Sequence, residues 1–283
     1  MAETWTVDGK TSIVTGSNTG LGRVTAVELA RRGSHVILAS RSEERTTPIV
    51  EEIGRQVGHD RVEFLALDLS SLASVKSAAD TFLADGRPLH LLVNNAGLAG
   101  RRGMTADGFE LTFGVNYLGH YLLTRLLMNR MVASAPARIV HVASSVHHRA
   151  RHIDWERLRK PRLVPGRSEY AVSKLANILF NRELARRLTG TGVTTYAAHP
   201  GLAATDIYRV VPPPIRRLVT RSMPTPENAA RTQVWCATAP ELWEESGRYY
   251  ADRRQKDPSP AALDTGLAAE LWTRSEAWVG DFL

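Results

Sequence analysis

The stretch Thr15-Gly16-Ser17-Asn18-Thr19-Gly20-Leu21-Gly22 decides the fold, because it lies between a β-branched strand and a helix. The predicted strand is Ser12-Ile13-Val14, and the predicted helix runs from about Leu21 to Arg32. Glycines let a loop turn tightly and let its backbone approach a ligand closely. The helix that follows offers free N–H groups and the positive end of its dipole to phosphates. A glycine cluster alone is also typical of an ordinary turn, but the strand–loop–helix context indicates a dinucleotide-binding loop.

Strand-like and helix-like segments alternate along the rest of the chain. This alternation predicts an α/β protein with a Rossmann fold, in which a doubly wound parallel sheet has helices on both faces. No composition break, repeat or low-complexity linker interrupts residues 1–283, so we expect a single domain. Further strands are predicted near 35–39, 61–67, 89–93, 138–143, 193–198 and 247–251, and further helices near 43–54, 72–84, 109–133 and 170–188.

Composition excludes several classes of protein. The single cysteine, Cys236, cannot form an intrachain disulfide or a site that needs several thiolates. No segment approaches the ~18–20 apolar residues of a membrane span, and the first residues do not resemble a secretory signal, so we expect a soluble cytoplasmic protein. A net charge of +7 would suit a polyanion partner, but the arginines are scattered. We therefore expect a solvated basic surface and an anionic cofactor, and no nucleic-acid partner.

Three histidines, His147, His148 and His152, cluster after the predicted fifth strand. A zinc site needs three or four convergent ligands at suitable spacing. No cysteine or ordered carboxylate accompanies these histidines, so the sequence predicts no metal site there. Lining of a substrate cleft is the better interpretation of the cluster.

The end of the second predicted strand, Leu38-Ala39-Ser40-Arg41-Ser42, indicates which dinucleotide binds. An NAD site often has an acidic residue here, which bonds the ribose 2′-hydroxyl. This strand ends without a carboxylate and has Arg41 instead. A guanidinium pairs with a 2′-phosphate, so Arg41 favours NADP(H) over NAD(H). A solvated arginine in an NAD-preferring enzyme is the alternative.

Tyr170 and Lys174 are four residues apart at the start of a predicted helix, which places both side chains on one helix face. A phenol with its reference pKa of ~10 is a poor base at neutral pH, and a nearby ammonium lowers that pKa. The pair is therefore suited to acid–base chemistry. The bare Tyr-x-x-x-Lys pattern is also common on helix surfaces.

The glycine loop at 15–22 and the Tyr170–Lys174 pair occur together with Asn94-Asn95-Ala96-Gly97 and His199-Pro200-Gly201. In this order and spacing the motifs resemble the short-chain dehydrogenase/reductase family over about residues 8 to 205. The runs 115–120 and 173–180 are similar to its retinol dehydrogenase-like branch. The resemblance implies an NADP(H)-dependent enzyme that interconverts a carbonyl and an alcohol by hydride transfer. It also implies a small, apolar ketone, aldehyde or alcohol as substrate, and a homodimer or homotetramer.

The resemblance further implies roles for single residues. Tyr170 would be the proton donor or acceptor, and Lys174 would lower its pKa and bind the nicotinamide ribose. Asn116 would hold a helix open for a water of the proton relay. Ser144 would polarise the carbonyl, with Ser145 as the alternative. The implied cofactor contacts are Gly16, Ser17, Asn18, Thr19, Gly20, Leu21, Gly22, Arg41, Asp68, Leu69, Asn95, Ala96, Gly97, Tyr170, Lys174, Pro200, Gly201 and Thr205.

Two segments are expected to face the substrate. Tyr170 follows Ser144 by 26 positions, a longer gap than the commonest spacing of the family, which predicts a substrate-facing insertion near 146–169. The resemblance also implies a lid near 202–223. A plain surface excursion is the alternative there, because heavy proline content limits a helix. A non-catalytic NADP(H)-binding regulatory or scaffold protein on the same fold is the alternative function. The presence of both Tyr170 and Lys174 disfavours it.

Overall fold

The computed structural model describes residues 5–160, 167–201 and 225–283, and the predicted lid and Thr205 lie outside this part of the chain. The strands are β1 (Thr11–Thr15), β2 (His35–Ser40), β3 (Val62–Ala66), β4 (Leu91–Asn94), β5 (Ala137–Val142), β6 (Val193–His199), β7 (Tyr249–Ala251) and β8 (Arg254–Gln255). The helices are α1 (Gly20–Arg31), α2 (Glu43–Val57), α3 (Leu72–Ala84), α4 (Leu111–Phe113), α5 (Gly119–Ala133), α6 (Arg167–Arg187), α7 (Pro226–Thr238), α8 (Pro260–Leu263) and α9 (Thr265–Val279).

All eight described strands form one sheet in the order β3-β2-β1-β4-β5-β6-β7-β8. The first seven are parallel, and β8 pairs antiparallel with β7. Strand β1 pairs with β2 on one side and with β4 on the other. Strands before β4 are therefore added on one side of β1, and β4 and the later strands on the other side. The loops after β1 and β4 diverge at this switch point and open a crevice at the carboxyl edge. The predicted doubly wound Rossmann fold is confirmed.

Helices cover both faces of the sheet, because neighbouring strand residues point to opposite faces. Ile13 packs into a core formed with α3, α5, α6 and α9. Val14 packs into a second core formed with α1, α2 and α7. Burial on both faces explains why the strands are continuous apolar runs rather than alternating patterns.

The helix predicted over 109–133 differs from the structure. It begins at Leu111, because the Glu110 carboxylate accepts hydrogen bonds from the backbone N–H groups of Thr112 (2.9 Å) and Phe113 (2.8 Å). A π-helical turn, Gly114–Leu118, then separates α4 from α5. Helix α6 begins at Arg167, so Tyr170 lies in its first turn.

The carboxyl-terminal part of the chain contains elements that the sequence did not predict. Strand β8 has two exposed residues and no apolar pattern. Helix α9 packs against α5 and α6, where the Trp272 ring contacts Tyr121 and Phe180 at centroid distances of 5.3 and 5.8 Å. Among the described residues, no helix has the length and apolar character needed to cross a bilayer.

Candidate active site

A cavity of about 690 Å³ opens at the carboxyl edge of the sheet. Loops after β1 to β6, together with the start of α6, form its walls. Most of the predicted site residues line it. These are Gly16, Asn18, Thr19, Gly20, Leu21, Gly22, Arg41, Asp68, Leu69, Asn95, Ala96, Gly97, Ser144, Tyr170, Lys174, Pro200 and Gly201.

The glycine loop approaches the loop after β4 so closely that side chains would not fit. A Cβ on Gly16 would lie 2.9 Å from the Ala96 Cα, and a Cβ on Gly22 would lie 2.4 Å from the Gly16 carbonyl oxygen. A Cβ on Gly20, in contrast, would meet no atom of the described residues within 4 Å, so the cavity is open above Gly20. This cradle of backbone fits the pyrophosphate of a dinucleotide.

The start of α1 also fits a phosphate. Its N-cap residue, Thr19, makes no side-chain hydrogen bond to the helix, and the first turn has no acidic residue. The first N–H groups of α1 are therefore left to a ligand, and the helix dipole favours an anion there. Ser17, predicted as a cofactor contact, does not line the cavity. Its hydroxyl is buried and donates to the Val14 carbonyl at 2.8 Å, which shapes the loop from below.

Lys174 is almost fully buried, and its Nζ donates to the Val142 carbonyl at 2.7 Å. The Asn177 side-chain amide donates to the same carbonyl at 3.2 Å. Burial disfavours the ammonium and lowers the pKa of Lys174 to about 8. At neutral pH Lys174 is still mostly a cation, which it presents to the cavity. Its Nζ lies 5.6 Å from the centre of the Tyr170 ring.

The two candidate serines differ in exposure and position. Ser144 is buried and lines the cavity, and its Oγ accepts a hydrogen bond from the Val146 N–H at 3.3 Å. Ser145 is exposed and does not line the cavity. Of the two, Ser144 is therefore the hydroxyl that faces the same space as Tyr170.

Asn116 lies in the π-helical turn, behind the cavity wall. Its Oδ1 accepts from the Leu98 N–H at 2.8 Å, and its Nδ2 donates to the Leu98 carbonyl and to Ser173 Oγ, both at 3.0 Å. A Cβ on Gly97 would lie 3.3 Å from Asn116 Oδ1 and 3.7 Å from Lys174 Nζ. The turn, the loop after β4 and the buried lysine thus meet around Gly97.

Cations line the cavity near the end of β2. Arg41 and Arg45 both face it, and neither forms a salt bridge with an acidic group of the described residues. Arg23 differs, because its guanidinium pairs with Glu52 at 2.5 Å. Asp68 is the acidic side chain that lines the cavity within the described chain, and its Oδ1 accepts from the Ser70 N–H and hydroxyl at 2.9 and 2.7 Å.

Of the three histidines that follow β5, His147 has a structural role, because both of its ring nitrogens bond the backbone. His147 is buried, its Nδ1 lies 2.6 Å from the Ser144 carbonyl, and its Nε2 accepts from the Ser259 N–H at 3.0 Å. His148 and His152 are exposed. The described residues contain no group of three or more side chains that could hold a metal ion.

The sequence missed several residues of the site. Arg45, Leu111 and Val115 line the cavity as well, and no site role was predicted for them. Helical spacing could have indicated two residues behind the wall. Asn177 follows Lys174 by three positions and His120 follows Asn116 by four, so each pair shares a helix face.

A switch-point cavity with a glycine loop and a Tyr–Lys pair defines a class of dinucleotide-dependent α/β oxidoreductases. The model of the short chain dehydrogenase family matches residues 10–214. The chain belongs to the short-chain dehydrogenase/reductase family, and it is an oxidoreductase of the carbonyl–alcohol class.

Named relatives place it in the retinol dehydrogenase-like branch. Dehydrogenase/reductase SDR family member 13 of Bos taurus is 44% identical over 280 residues, which cover 96% of this chain and 74% of the relative. Retinol dehydrogenase 13 of Homo sapiens is 42% identical over 288 residues, which cover 97% of this chain and 86% of the relative.

Solved structures share the fold. An uncharacterized protein from Mycobacterium paratuberculosis superposes with a TM-score of 0.77 at 33% identity, and the match covers 98% of both chains. L-Sorbose reductase from Gluconobacter frateurii, solved with NADPH and L-sorbose, superposes with a TM-score of 0.70 at 20% identity over 88% of this chain and 96% of that one.

Proposed function

We propose that this protein uses NADP(H) to interconvert an apolar ketone or aldehyde and its alcohol, with Tyr170 as the proton donor or acceptor. One observation is the main support. Tyr170, Lys174 and Ser144 line the same cavity as the glycine loop. A phenol, a buried cation and a hydroxyl therefore face one space beside a cradle that suits a pyrophosphate.

The chemistry follows from the positions of these groups. A bound nicotinamide would supply or accept the hydride, and the protein supplies position and proton transfer. Tyr170 transfers the proton at the substrate oxygen, and the Ser144 hydroxyl hydrogen-bonds that oxygen. Lys174 favours the phenolate form by its charge. Acid–base help of this kind contributes roughly 10²–10⁴-fold in rate.

Asn116 supports the site without lining it. By bonding both backbone groups of Leu98, it fixes the wall next to Lys174. We propose that this bridge keeps the π-helical turn open, as the family role of Asn116 in a proton relay requires.

The cavity walls support an apolar substrate. Leu98, Leu111, Val115 and Val146 contribute apolar surface to it. Val146 belongs to the predicted substrate-facing insertion. The relatives named retinol dehydrogenases agree with an apolar substrate class.

Replacing Tyr170 with phenylalanine tests the acid–base role. We expect Tyr170→Phe to lower turnover by at least ~10²-fold, because the proton donor is lost. NADPH binding, followed by nicotinamide fluorescence, should stay within about twofold of the wild type. Tyr250→Phe is a matched control, since the Tyr250 hydroxyl bonds Glu245 away from the cavity. Near wild-type turnover of Tyr170→Phe on any carbonyl that the wild type reduces would refute the assignment.

Replacing Arg41 tests the choice of nucleotide. Arg41→Asp should raise KM for NADPH by roughly 10-fold or more and leave KM for NADH little changed, because a carboxylate repels the 2′-phosphate. Arg55→Asp, an exposed change on α2, is the control. A wild-type enzyme that prefers NADH would contradict the proposal.

A further inference from the structure

A buried histidine, His120, lies beneath the site and has no part in the proposed chemistry. It is in the first turn of α5, one helical turn after Asn116. Its Nδ1 lies 3.1 Å from the Asn116 carbonyl oxygen, and its Nε2 lies 2.8 Å from Thr15 Oγ1. The ring therefore spans the gap between the π-helical turn and the end of β1, where the glycine loop begins.

The partners of the ring fix its protonation. A carbonyl oxygen can only accept, so the Nδ1 of His120 carries the proton and donates it to Asn116. Nε2 is then an acceptor for the Thr15 hydroxyl proton. Thr15 Oγ1 in turn accepts from the N–H groups of Asn95 and Ala96, both at 2.9 Å. Each donor in this arrangement meets an acceptor.

The same chain of bonds continues towards the proposed catalytic tyrosine. Asn116 Nδ2 donates to Ser173 Oγ at 3.0 Å, and the Ser173 hydroxyl donates to the Tyr170 carbonyl at 2.9 Å. Thr15, His120, Asn116 and Ser173 thus connect the cofactor loop to the backbone of Tyr170. Within this chain, His120 is the link between the end of β1 and the π-helical turn.

We infer that His120 is a positioning residue that locks the glycine loop and the Asn116 turn in one fixed relation to each other. This inference rests on the proposed function, since it assumes that these two parts hold the cofactor and the reacting groups. The interior of the protein keeps the ring in the form that the bonds require. Burial and, to a smaller extent, the charge of nearby Lys174 lower the pKa of His120 to about 4, so the ring is neutral at pH 7.

Two measurements test the inference without relying on turnover. The first is the imidazole ¹H–¹⁵N spectrum of the wild-type protein, which reports which ring nitrogen of His120 carries the proton. We expect protonated Nδ1 and bare Nε2 at pH 7. Protonated Nε2 would overturn the proposal, and this result needs no variant to fold.

The second measurement is NADPH binding by variants of His120. His120→Phe keeps the ring size but removes both bonds, so we expect about tenfold weaker binding and shifted amide signals of both Ala96 and Leu98. His120→Gln retains a donor and an acceptor and should recover binding to within about threefold. His141→Phe is the matched control, because His141 is as deeply buried but bonds Asn94 rather than Thr15 or Asn116.

The outcomes separate this inference from the proposed function. If wild-type protein binds NADPH and His120→Phe binds it within twofold of wild type, the positioning role is wrong while the proposed function stands. If His141→Phe weakens binding as much as His120→Phe, the effect belongs to buried histidines in general, and the inference also fails. If Tyr170→Phe turns over substrate normally, the proposed function fails although the Thr15–His120–Asn116 link can still be present in the spectra.

Discussion

At the scale of single residues, Lys174 is a cation that folding places in an unfavourable environment. Burial lowers its pKa from 10.5 to about 8. Below pH 8 the folded state bears the full free-energy penalty, and the penalty disappears as the pH rises towards 10.5, where the unfolded lysine also loses its proton. The protein is therefore less stable at neutral pH than it would be without this charge.

Lys174→Met should raise the free energy of unfolding at pH 7 by about 2–3 kcal/mol, and this gain should shrink by pH 10. Asn177 still bonds the Val142 carbonyl in the variant, which limits the loss of hydrogen bonding. Urea unfolding at the two pH values measures the effect. Lys76→Met, an exposed change on α3, is the control and should stay within about 0.5 kcal/mol of wild type. An equal gain at both pH values would show that charge burial is not the cause.

Residue spacing predicted some of these groups but not their partners. The interval of four between Tyr170 and Lys174 was enough to place both on one helix face. The Val142 carbonyl is 32 positions away from Lys174, and nothing local links the two. The sequence favoured Ser144 over Ser145 but left Ser145 open, because only the folded backbone shows which of the two hydroxyls faces the cavity.

At the scale of elements, the contact between α1 and the loop after β4 depends on Gly22. A glycine inside a helix costs about 1 kcal/mol relative to alanine, so its presence needs a reason. A Cβ at this position would lie 2.4 Å from the Gly16 carbonyl and 2.5 Å from Asn95 Nδ2. Glycine allows the helix to start directly against the loop that it supports.

Gly22→Ala should therefore weaken NADPH binding by at least ~10-fold, because the glycine loop must move to make room. Calorimetric titration with NADPH measures the change. Gly54→Ala, also inside a helix, is the control, since the one atom of the described residues that its Cβ would approach is the His59 carbonyl oxygen, at 3.3 Å. That variant should bind NADPH like the wild type. Unchanged binding by Gly22→Ala would mean that the loop tolerates the displacement.

The elements themselves were largely predictable, because buried parallel strands are continuous apolar runs and helices separate them. The π-helical turn at Gly114–Leu118 was not. Its side-chain bonds join Asn116 to Leu98 and to Ser173, which are distant in sequence. Helical periodicity over 109–133 is equally compatible with an unbroken helix, so the turn is visible only in the folded arrangement.

At the scale of the whole molecule, α9 ties the carboxyl-terminal part of the chain to the middle of the fold. Glu276 accepts hydrogen bonds from Arg125 at 2.6 and 3.1 Å and from the Tyr121 hydroxyl. Ser275, beside it, bonds the buried Tyr117 hydroxyl at 2.8 Å. The bond with Arg125 holds the pKa of Glu276 below its usual value of 4.5.

A carboxylate with a lowered pKa stabilises the folded state above pH 4.5, and the contribution is lost as the pH falls below that value. Glu276→Gln should therefore cost about 1 kcal/mol at pH 7 and progressively less below pH 4.5. Urea unfolding at pH 7 and pH 3.5 measures the two differences. Glu270→Gln, on the same helix and paired with the exposed Arg274, should cost less than about 0.5 kcal/mol. A cost that does not change with pH would contradict the ionic contribution.

The order of the strands has a consequence for how the chain can fold as it is made. Of the described strands, β1 is synthesised first and occupies an interior position, and β2 and β3 extend the sheet from one of its edges. β4 then pairs with the remaining edge of β1, and each later strand adds to the strand before it. No described strand has to insert between two strands that are already paired. A nascent chain leaving the ribosome can thus build the sheet outward from β1, and the edge that waits for the next strand stays open to aggregation until that strand is made.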